Sequence, residues 1–110
     1  ITGSAIRLTA THEIIAITEG IENALAVMEN EGLPCWAAVS AHGIETFQPP
    51  EGVTGIIVYG DNDESFTGQA AAALLCKRLV KEGFTADCII KGDRGQDYLD
   101  YYNSKRRAAA

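Results

Sequence analysis

Basic residues are missing from most of this sequence: no lysine or arginine occurs between Leu8 and Cys76. Ten acidic residues fall in that window, and the whole chain has 9 basic residues, 15 acidic residues and a net charge of −6. A chain with this charge is poorly suited to grip a phosphate backbone by electrostatics alone. The bias is typical either of a cation-binding surface or of a solvated acidic one.

Long apolar runs and paired cysteines are also absent. No apolar run approaches the length that crosses a bilayer, so the sequence predicts no membrane partner. The three cysteines, Cys35, Cys76 and Cys88, show no C-x-x-C spacing and fall within apolar segments. We expect them to be small buried hydrophobic residues in a reducing compartment, which indicates a cytoplasmic protein.

The length of 110 residues allows one domain with a real core but not two. We expect the core of this single domain to span about residues 12–104. The chain begins with Ile1 rather than methionine, so we expect it to be a fragment of a larger protein.

Short apolar runs alternate with helical patterns along the chain. Buried strands are predicted at Ile14–Ile17, Cys35–Val39, Gly55–Gly60 and Ala86–Ile90, and Ala5–Thr9 is a candidate edge strand. Helices are predicted from Ile21, with Ile21, Ala24, Leu25 and Met28 on one apolar face, over Ser40–Phe47, over Gly68–Gly83, and over Tyr98–Tyr102. This alternation predicts an α/β fold, with a parallel sheet of about four strands and helices on both faces.

The third predicted strand runs directly into three acids, Asp61, Asp63 and Glu64. Asp61 and Asp63 are two residues apart on an extended segment, so they are expected to point the same way and to repel each other unless a cation lies between them. Hard oxygen ligands in an open loop favour magnesium or manganese. The alternative is a solvated turn that caps the next helix.

Acids follow two further strands. Glu19 comes after the first strand and Asp97 after the last. Ligands of open α/β sheets bind at the carboxyl ends of the strands, so these acids are expected to converge with Asp61 and Asp63 at one edge. His42, beside Gly43 in the segment that follows the second predicted strand at the same edge, is expected to be solvated rather than catalytic.

A glutamate after one strand and an Asp-x-Asp after a later one resemble the Toprim domain, which bacterial-type primases, topoisomerases and nucleases of the overcoming-lysogenisation-defect kind share. The resemblance covers about Ile14 to Asn103. Its motifs are Thr18–Ala24, Tyr59–Asp63, Gly68–Ala71 and Gly95–Asp100. Trp36–Ala41 and the pair Pro49-Pro50 look most like phage and plasmid primases or primase-helicases, although Ser40–Gly43 lacks the Gly-Thr of cellular primases and Gln96 precedes Asp97.

This resemblance implies the catalytic domain of a DNA primase, a magnesium-dependent (or manganese-dependent) nucleotidyltransferase that makes RNA primers on single-stranded DNA. By the same resemblance Asp61, Asp63 and Glu19 are catalytic, Asp97 is a further metal ligand, and Glu19 is either a ligand or the general base. It also implies that single-stranded DNA and nucleoside triphosphates bind with the help of neighbouring domains, among which a helicase domain is a candidate. The isolated fragment is expected to be inactive.

Other functions remain open at this point. A Toprim-type nuclease or topoisomerase would use the same acids to cleave DNA, and a non-catalytic domain would only bind the metal. Haloacid dehalogenase-like phosphatases also use Asp-x-Asp, but after the first strand, whereas two predicted strands precede Asp61. A response-regulator receiver needs an early acidic pair, and Glu19 has no acidic neighbour.

Overall fold

Strands and helices alternate along the part of the chain that the computed structural model describes, residues 6–7, 13–93 and 95–109. Their order is β1 (Ile6–Arg7), β2 (Ile14–Thr18), α1 (Ile21–Glu31), β3 (Cys35–Ala37), α2 (Ala41–Thr46), β4 (Gly55–Gly60), α3 (Thr67–Lys81), β5 (Thr85–Ile90) and α4 (Tyr98–Ala109). The predicted elements are all present, although α4 is longer than expected. Of the predicted edge strand, Ala5, Leu8 and Thr9 lie outside the described residues.

The strands form one sheet in the order β1-β3-β2-β4-β5. The four strands β2, β3, β4 and β5 are mutually parallel, as predicted, and β1 pairs with β3 in the antiparallel direction. The chain leaves β2 for β3 on one side and then returns to form β4 on the other side of β2. Strand order therefore reverses between β2 and β4, which is where ligands of open α/β sheets bind.

Helices cover both faces of the sheet, because successive strand residues point to opposite sides. On one face Ile15, Ile17, Ile56 and Val58 pack with residues of α2 and α3. On the other face smaller strand residues, Ala16, Cys35 and Ala37, pack with α1 and α4. The predicted three-layer α/β architecture is thus confirmed.

Helix α1 is rotated relative to the predicted apolar face. Ile21 and Leu25 are 45% and 52% exposed, while Asn23, Ala24, Ala26 and Val27 are buried. Small side chains on both surfaces let α1 approach the sheet closely, and this close contact determines which side of the helix is buried. The rotation buries one polar residue, Asn23, and leaves two large apolar ones in solvent.

The cysteines differ in burial, contrary to the sequence expectation. Cys35 is buried, Cys76 is half-buried and Cys88 is exposed, and all three are free thiols. Cys88 is exposed because β5 is the edge strand and pairs only with β4. Within the described residues, every helix is too short or too polar to span a membrane.

The short helix α2 depends on a glycine. Ser40 caps it by accepting a hydrogen bond from the Gly43 N–H at 3.0 Å. A Cβ on Gly43 would lie 2.2 Å from the backbone oxygen of Ala38, which cannot move without shifting the end of β3. A buried glycine at this position lets α2 fold directly back onto the sheet.

We predict that Gly43→Ala destabilises the protein by about 2 kcal/mol, because the added methyl group overlaps a backbone atom. Chemical denaturation measures the loss. Gly20→Ala is the control, because its Cβ would meet nothing closer than the Asn23 Nδ2 atom at 3.8 Å. A Gly43→Ala protein as stable as the control would show that α2 can move away from the sheet at little cost.

Candidate functional site

Two of the predicted site residues follow the neighbouring strands β2 and β4. Ile17 of β2 pairs with Val58 of β4, so Glu19 and Asp61 leave the sheet side by side. They lie at the carboxyl edge where strand order reverses. The topology therefore brings together two acids that are 42 positions apart in the sequence.

Asp61 is the most perturbed carboxyl group at this edge. Burial raises its pKa to about 6, and repulsion from Glu19, Asp97, Asp63 and Asp100 adds to the rise. Its Oδ1 accepts a hydrogen bond from the Asn23 side-chain amide at 3.3 Å. One hydrogen bond does not offset the surrounding negative charge, so a cation at this position would be strongly favoured.

Asp63 lies on the other side of the loop and contacts α3. Its Oδ2 accepts a hydrogen bond from the Gly68 N–H at 3.0 Å, in the first turn of that helix. A Cβ on Gly68 would come within 2.9 Å of the same oxygen, so the absence of a side chain permits the contact. The interpretation of the acidic loop as a helix-capping turn is therefore correct for Asp63.

The two aspartates do not point the same way, which corrects the sequence expectation. Asp61 bonds to α1 and Asp63 to α3, and these helices cover opposite faces of the sheet. The expectation assumed an extended chain, but β4 ends at Gly60, so strand alternation no longer governs the two side chains.

Asn62, between the two aspartates, joins the acidic loop to the loop after β5. Its backbone forms an isolated antiparallel bridge with Gln96, and its side-chain amide donates to the Gly92 carbonyl at 3.0 Å. Its Oδ1 accepts a hydrogen bond from Gln69 of α3 at 3.2 Å. Asn62 therefore shapes the loop, and this bridge brings Asp97 toward Asp61.

Asp97 caps helix α4. Its Oδ1 accepts from the Asp100 N–H at 2.8 Å, and the Asp100 Oδ2 accepts from the Asp97 N–H at 3.1 Å. This reciprocal pair is a capping box with aspartate in place of glutamate. Asp97 lies close enough to Asp61 to raise the pKa of that group, so capping and proximity to the site coexist.

Glu19 is half-buried, and burial together with Asp63 raises its pKa. Among the described residues its carboxylate has no hydrogen-bond partner, unlike those of Asp61, Asp63 and Asp97. The backbone carbonyl of Glu19 accepts a hydrogen bond from the Val39 N–H at 2.6 Å, which ties the end of β2 to the chain after β3. Among the described residues, the Glu19 side chain therefore makes no helix-capping hydrogen bond.

The structure brings all four predicted acids into one electrostatic cluster, but they do not form a compact cage. Within the described residues, no group of three or more His, Cys, Asp or Glu side chains is arranged to hold a metal ion. Magnesium suits this arrangement, since it usually takes one or two carboxylates from a protein and completes its shell with water and phosphate oxygens. Asp61 and Glu19 are the donors best placed for that role, because neither caps a helix.

Asn23 is the site residue that the sequence reasoning did not assign. It is 6% exposed, its amide donates to Asp61, and its Oδ1 accepts from the Leu99 N–H of α4 at 2.9 Å. A polar residue next to the alanines of α1 was the available signal. The apolar periodicity of Ile21 and Leu25 concealed it, because that pattern predicted the wrong buried face.

The structure also shows the surroundings of His42 and of the tyrosines of α4. His42 is solvent-exposed, as expected, and lies on the short helix α2. Tyr98 and Tyr102 are buried, and Tyr98 packs edge-on against Tyr59 and Tyr101. Tyr98 and Tyr102 are therefore packing residues.

Comparison with known proteins agrees with this geometry. A family model described as Toprim domain matches residues 14–108. A crystal structure of a DNA primase domain from Pseudomonas aeruginosa is similar with a TM-score of 0.57 and 19% identity, over 87% of this chain and 32% of that one. The chain thus spans about a third of that structure, and at this identity the likeness shows the fold alone. No curated protein matches significantly.

We predict that Asp61→Asn stabilises the metal-free protein at neutral pH by about 1 kcal/mol, a value kept small because solvent screens a half-exposed carboxyl. A folded pKa of about 6 lies above the ordinary value of 3.8, so the folded state holds this proton more tightly. The stability that protonation provides is complete below about pH 4 and is lost as the pH rises to about 6.

The measurement is urea unfolding in EDTA between pH 4 and 7.5, and the quantity compared is the difference between wild type and variant. That difference should grow as the pH rises through the window. Parallel curves would mean that Asp61 has an ordinary pKa and that the charges around it are well solvated.

We also predict that Asn23→Ala destabilises the protein by about 2 kcal/mol, because it leaves the Leu99 N–H and one Asp61 oxygen without their buried partner. Hydrogen exchange should show faster exchange of the Leu99 amide. Asn23→Asp is the informative control: it keeps an acceptor for Leu99 but places a carboxylate against Asp61. It should protect the amide and still lower stability at pH 7, and an unchanged Leu99 exchange rate in Asn23→Ala would contradict the bridging role.

Proposed function

Because this chain belongs to the Toprim domain family, we propose that it is the catalytic domain of a DNA primase, and that it uses magnesium or manganese to transfer nucleotides to a growing RNA primer. The observation that supports the proposal most directly is the state of Asp61. Its pKa is raised to about 6 at the reversal of strand order, among carboxylates that all add to the rise. Such a group is stabilised by a divalent cation and by little else within the described part of the site.

The contacts of each acid indicate which role it would take in metal binding. Asp61 and Glu19 would hold the metal, and Asp63 would join them with whatever coordination its contact with Gly68 leaves available. Asp97 would act as an outer ligand or through its charge, since one of its oxygens caps α4. A bound magnesium ion supplies neutralisation of the charge on the transferring phosphates.

Glu19 has two possible roles in this proposal. As a carboxylate free of other contacts among the described residues, it would either complete the metal shell or accept the proton of the attacking primer hydroxyl. Asn23 would hold Asp61 in position by its amide, which is a positioning role. Glu19 follows β2 directly and Asn23 lies in the first turn of α1, so neither residue would have to move far to take these roles.

The net charge of the chain bears on how it would bind DNA and nucleotides. The net charge of −6 disfavours tight binding of nucleic acid by this chain alone. We therefore propose that single-stranded DNA and nucleoside triphosphates are held jointly with neighbouring domains, and that a helicase domain is a candidate partner. The same acidic edge would serve DNA cleavage in a Toprim nuclease or topoisomerase, but no observation in the described residues favours that reaction.

We predict that manganese binds the protein weakly and that Asp61→Asn abolishes this binding in calorimetric titrations. Glu19→Gln and Asp63→Asn should each weaken it by about tenfold or more, since each removes a negative oxygen from the cluster. Asp87→Asn is the matched control, because Asp87 is an exposed acid on β5 away from the cluster. Equal binding by all of these proteins would contradict the metal site.

Activity separates priming from cleavage. We predict that primer synthesis from ribonucleoside triphosphates on single-stranded DNA, measured with the protein that carries this chain, falls about 100-fold or more in Asp61→Asn. The circular dichroism spectrum should stay unchanged. Metal-dependent nicking of DNA without primer synthesis would instead identify a nuclease or topoisomerase.

A further inference from the structure

Val39 has a backbone conformation that a valine rarely adopts. Its φ is 78°, and among the described residues only Phe66 is another non-glycine with positive φ. A β-branched residue in this region is strained, and such strain is concentrated at active sites and ligand clamps. The hydrogen bond from the Val39 N–H to the Glu19 carbonyl holds this conformation at the end of β2.

Core packing does not explain the valine. Its side chain is 62% exposed, so it buries little apolar surface within the chain. Glycine would adopt the same φ without strain. The isopropyl group is therefore retained at a cost in stability, beside a carboxylate of the proposed catalytic site.

The exposed side of Val39 faces an open pocket of about 380 Å³. Gly20, Ile21, Glu22, Asn23, Val39 and Asp97 line it. Ile21 is the second large apolar residue there and is 45% exposed. Asn23 also bonds to Asp61, and Asp97 raises the pKa of Asp61, so two of the lining residues interact directly with the acidic cluster.

The pocket thus combines two apolar side chains with polar ones, Glu22, Asn23 and Asp97, and its volume is in the size range of small-molecule sites. A nucleoside triphosphate has matching chemistry: its phosphates would reach the acids through a metal, and its base and sugar present apolar surface next to hydrogen-bonding groups. We infer that Ile21 and Val39 form a nucleoside subsite, in which they contact the base or sugar of the nucleotide whose phosphates lie at Asp61. This inference rests on the proposed function, because the phosphates need the metal.

The test compares magnesium-ATP with magnesium-tripolyphosphate, since the two share the phosphate chain and differ in the nucleoside. Methyl and amide NMR shifts of the protein report binding of each. In wild type, ATP should bind several-fold more tightly than tripolyphosphate, and only ATP should shift the Val39 and Ile21 methyl signals. Val39→Ala should reduce the preference for ATP about threefold or more and leave the affinity for tripolyphosphate unchanged.

Val80→Ala is the matched control, because Val80 is 58% exposed on α3 and loses the same two carbon atoms. It should alter neither affinity. Val39→Gly should raise the melting temperature by relieving strain and should bring the preference for ATP close to one. A higher melting temperature with an unchanged preference would overturn the inference.

The outcomes also distinguish this inference from the function on which it rests. If wild type binds tripolyphosphate and ATP equally well, and Asp61→Asn abolishes both, the metal-phosphate site stands and the nucleoside subsite is wrong. If wild type binds neither ligand at millimolar concentration, the metal-phosphate site is contradicted and the subsite with it.

Discussion

Repulsion among carboxylates at the junction of β2 and β4 is the constraint on which the rest of the structure depends. Asp61 is the carboxyl group most affected, because burial and four acidic neighbours all raise its pKa. Without a cation the fold must hold these groups together against their charge. It does so through contacts from both faces of the sheet, the Asn23 amide from α1 and the Gly68 N–H from α3. The helices are thereby fixed relative to the carboxyl edge.

The acids at this edge differ in the hydrogen bonds that they accept. Asp63 and Asp97 contact the first turns of α3 and α4, where partial positive charge stabilises a carboxylate. Asp61 instead accepts from a side chain, the Asn23 amide in the first turn of α1, and among the described residues no helix N–H donates to the Asp61 or Glu19 carboxylate. Asp63 and Asp97 are thus partly stabilised by the fold itself, whereas the proposed cation would stabilise Asp61 and Glu19 most. A structural and a catalytic interpretation of one acidic motif are therefore compatible, because a carboxylate can use one oxygen for a backbone N–H and keep the other for a ligand.

Two features near the site reduce stability, one at the start of α1 and one directly after β3. Val39 keeps a strained backbone, and Ile21 leaves a large apolar side chain in solvent. A sequence selected only for folding would place glycine at the first position and a polar residue at the second. Both positions line the same pocket beside the acidic cluster. In the nucleoside subsite that we infer, these two residues would contact the ligand rather than pack within the chain.

The sequence by itself determined the order of the strands and helices, the layered α/β architecture and the four acids at strand ends. These follow from local signals: β-branched runs such as Ile14–Ile17, glycine-terminated helices, and the Asp-x-Asp spacing of Asp61 and Asp63. Only the tertiary structure decided which acids cap helices, which face of α1 is buried, and that Asn23 joins Asp61 to α4. Helical periodicity assigns a face only from the helix's own residues, and here the small residues of β2 and β3 set the rotation of α1. Loop direction after Gly60 and the bridge between Asn62 and Gln96 likewise depend on contacts between segments distant in sequence, which no local pattern encodes.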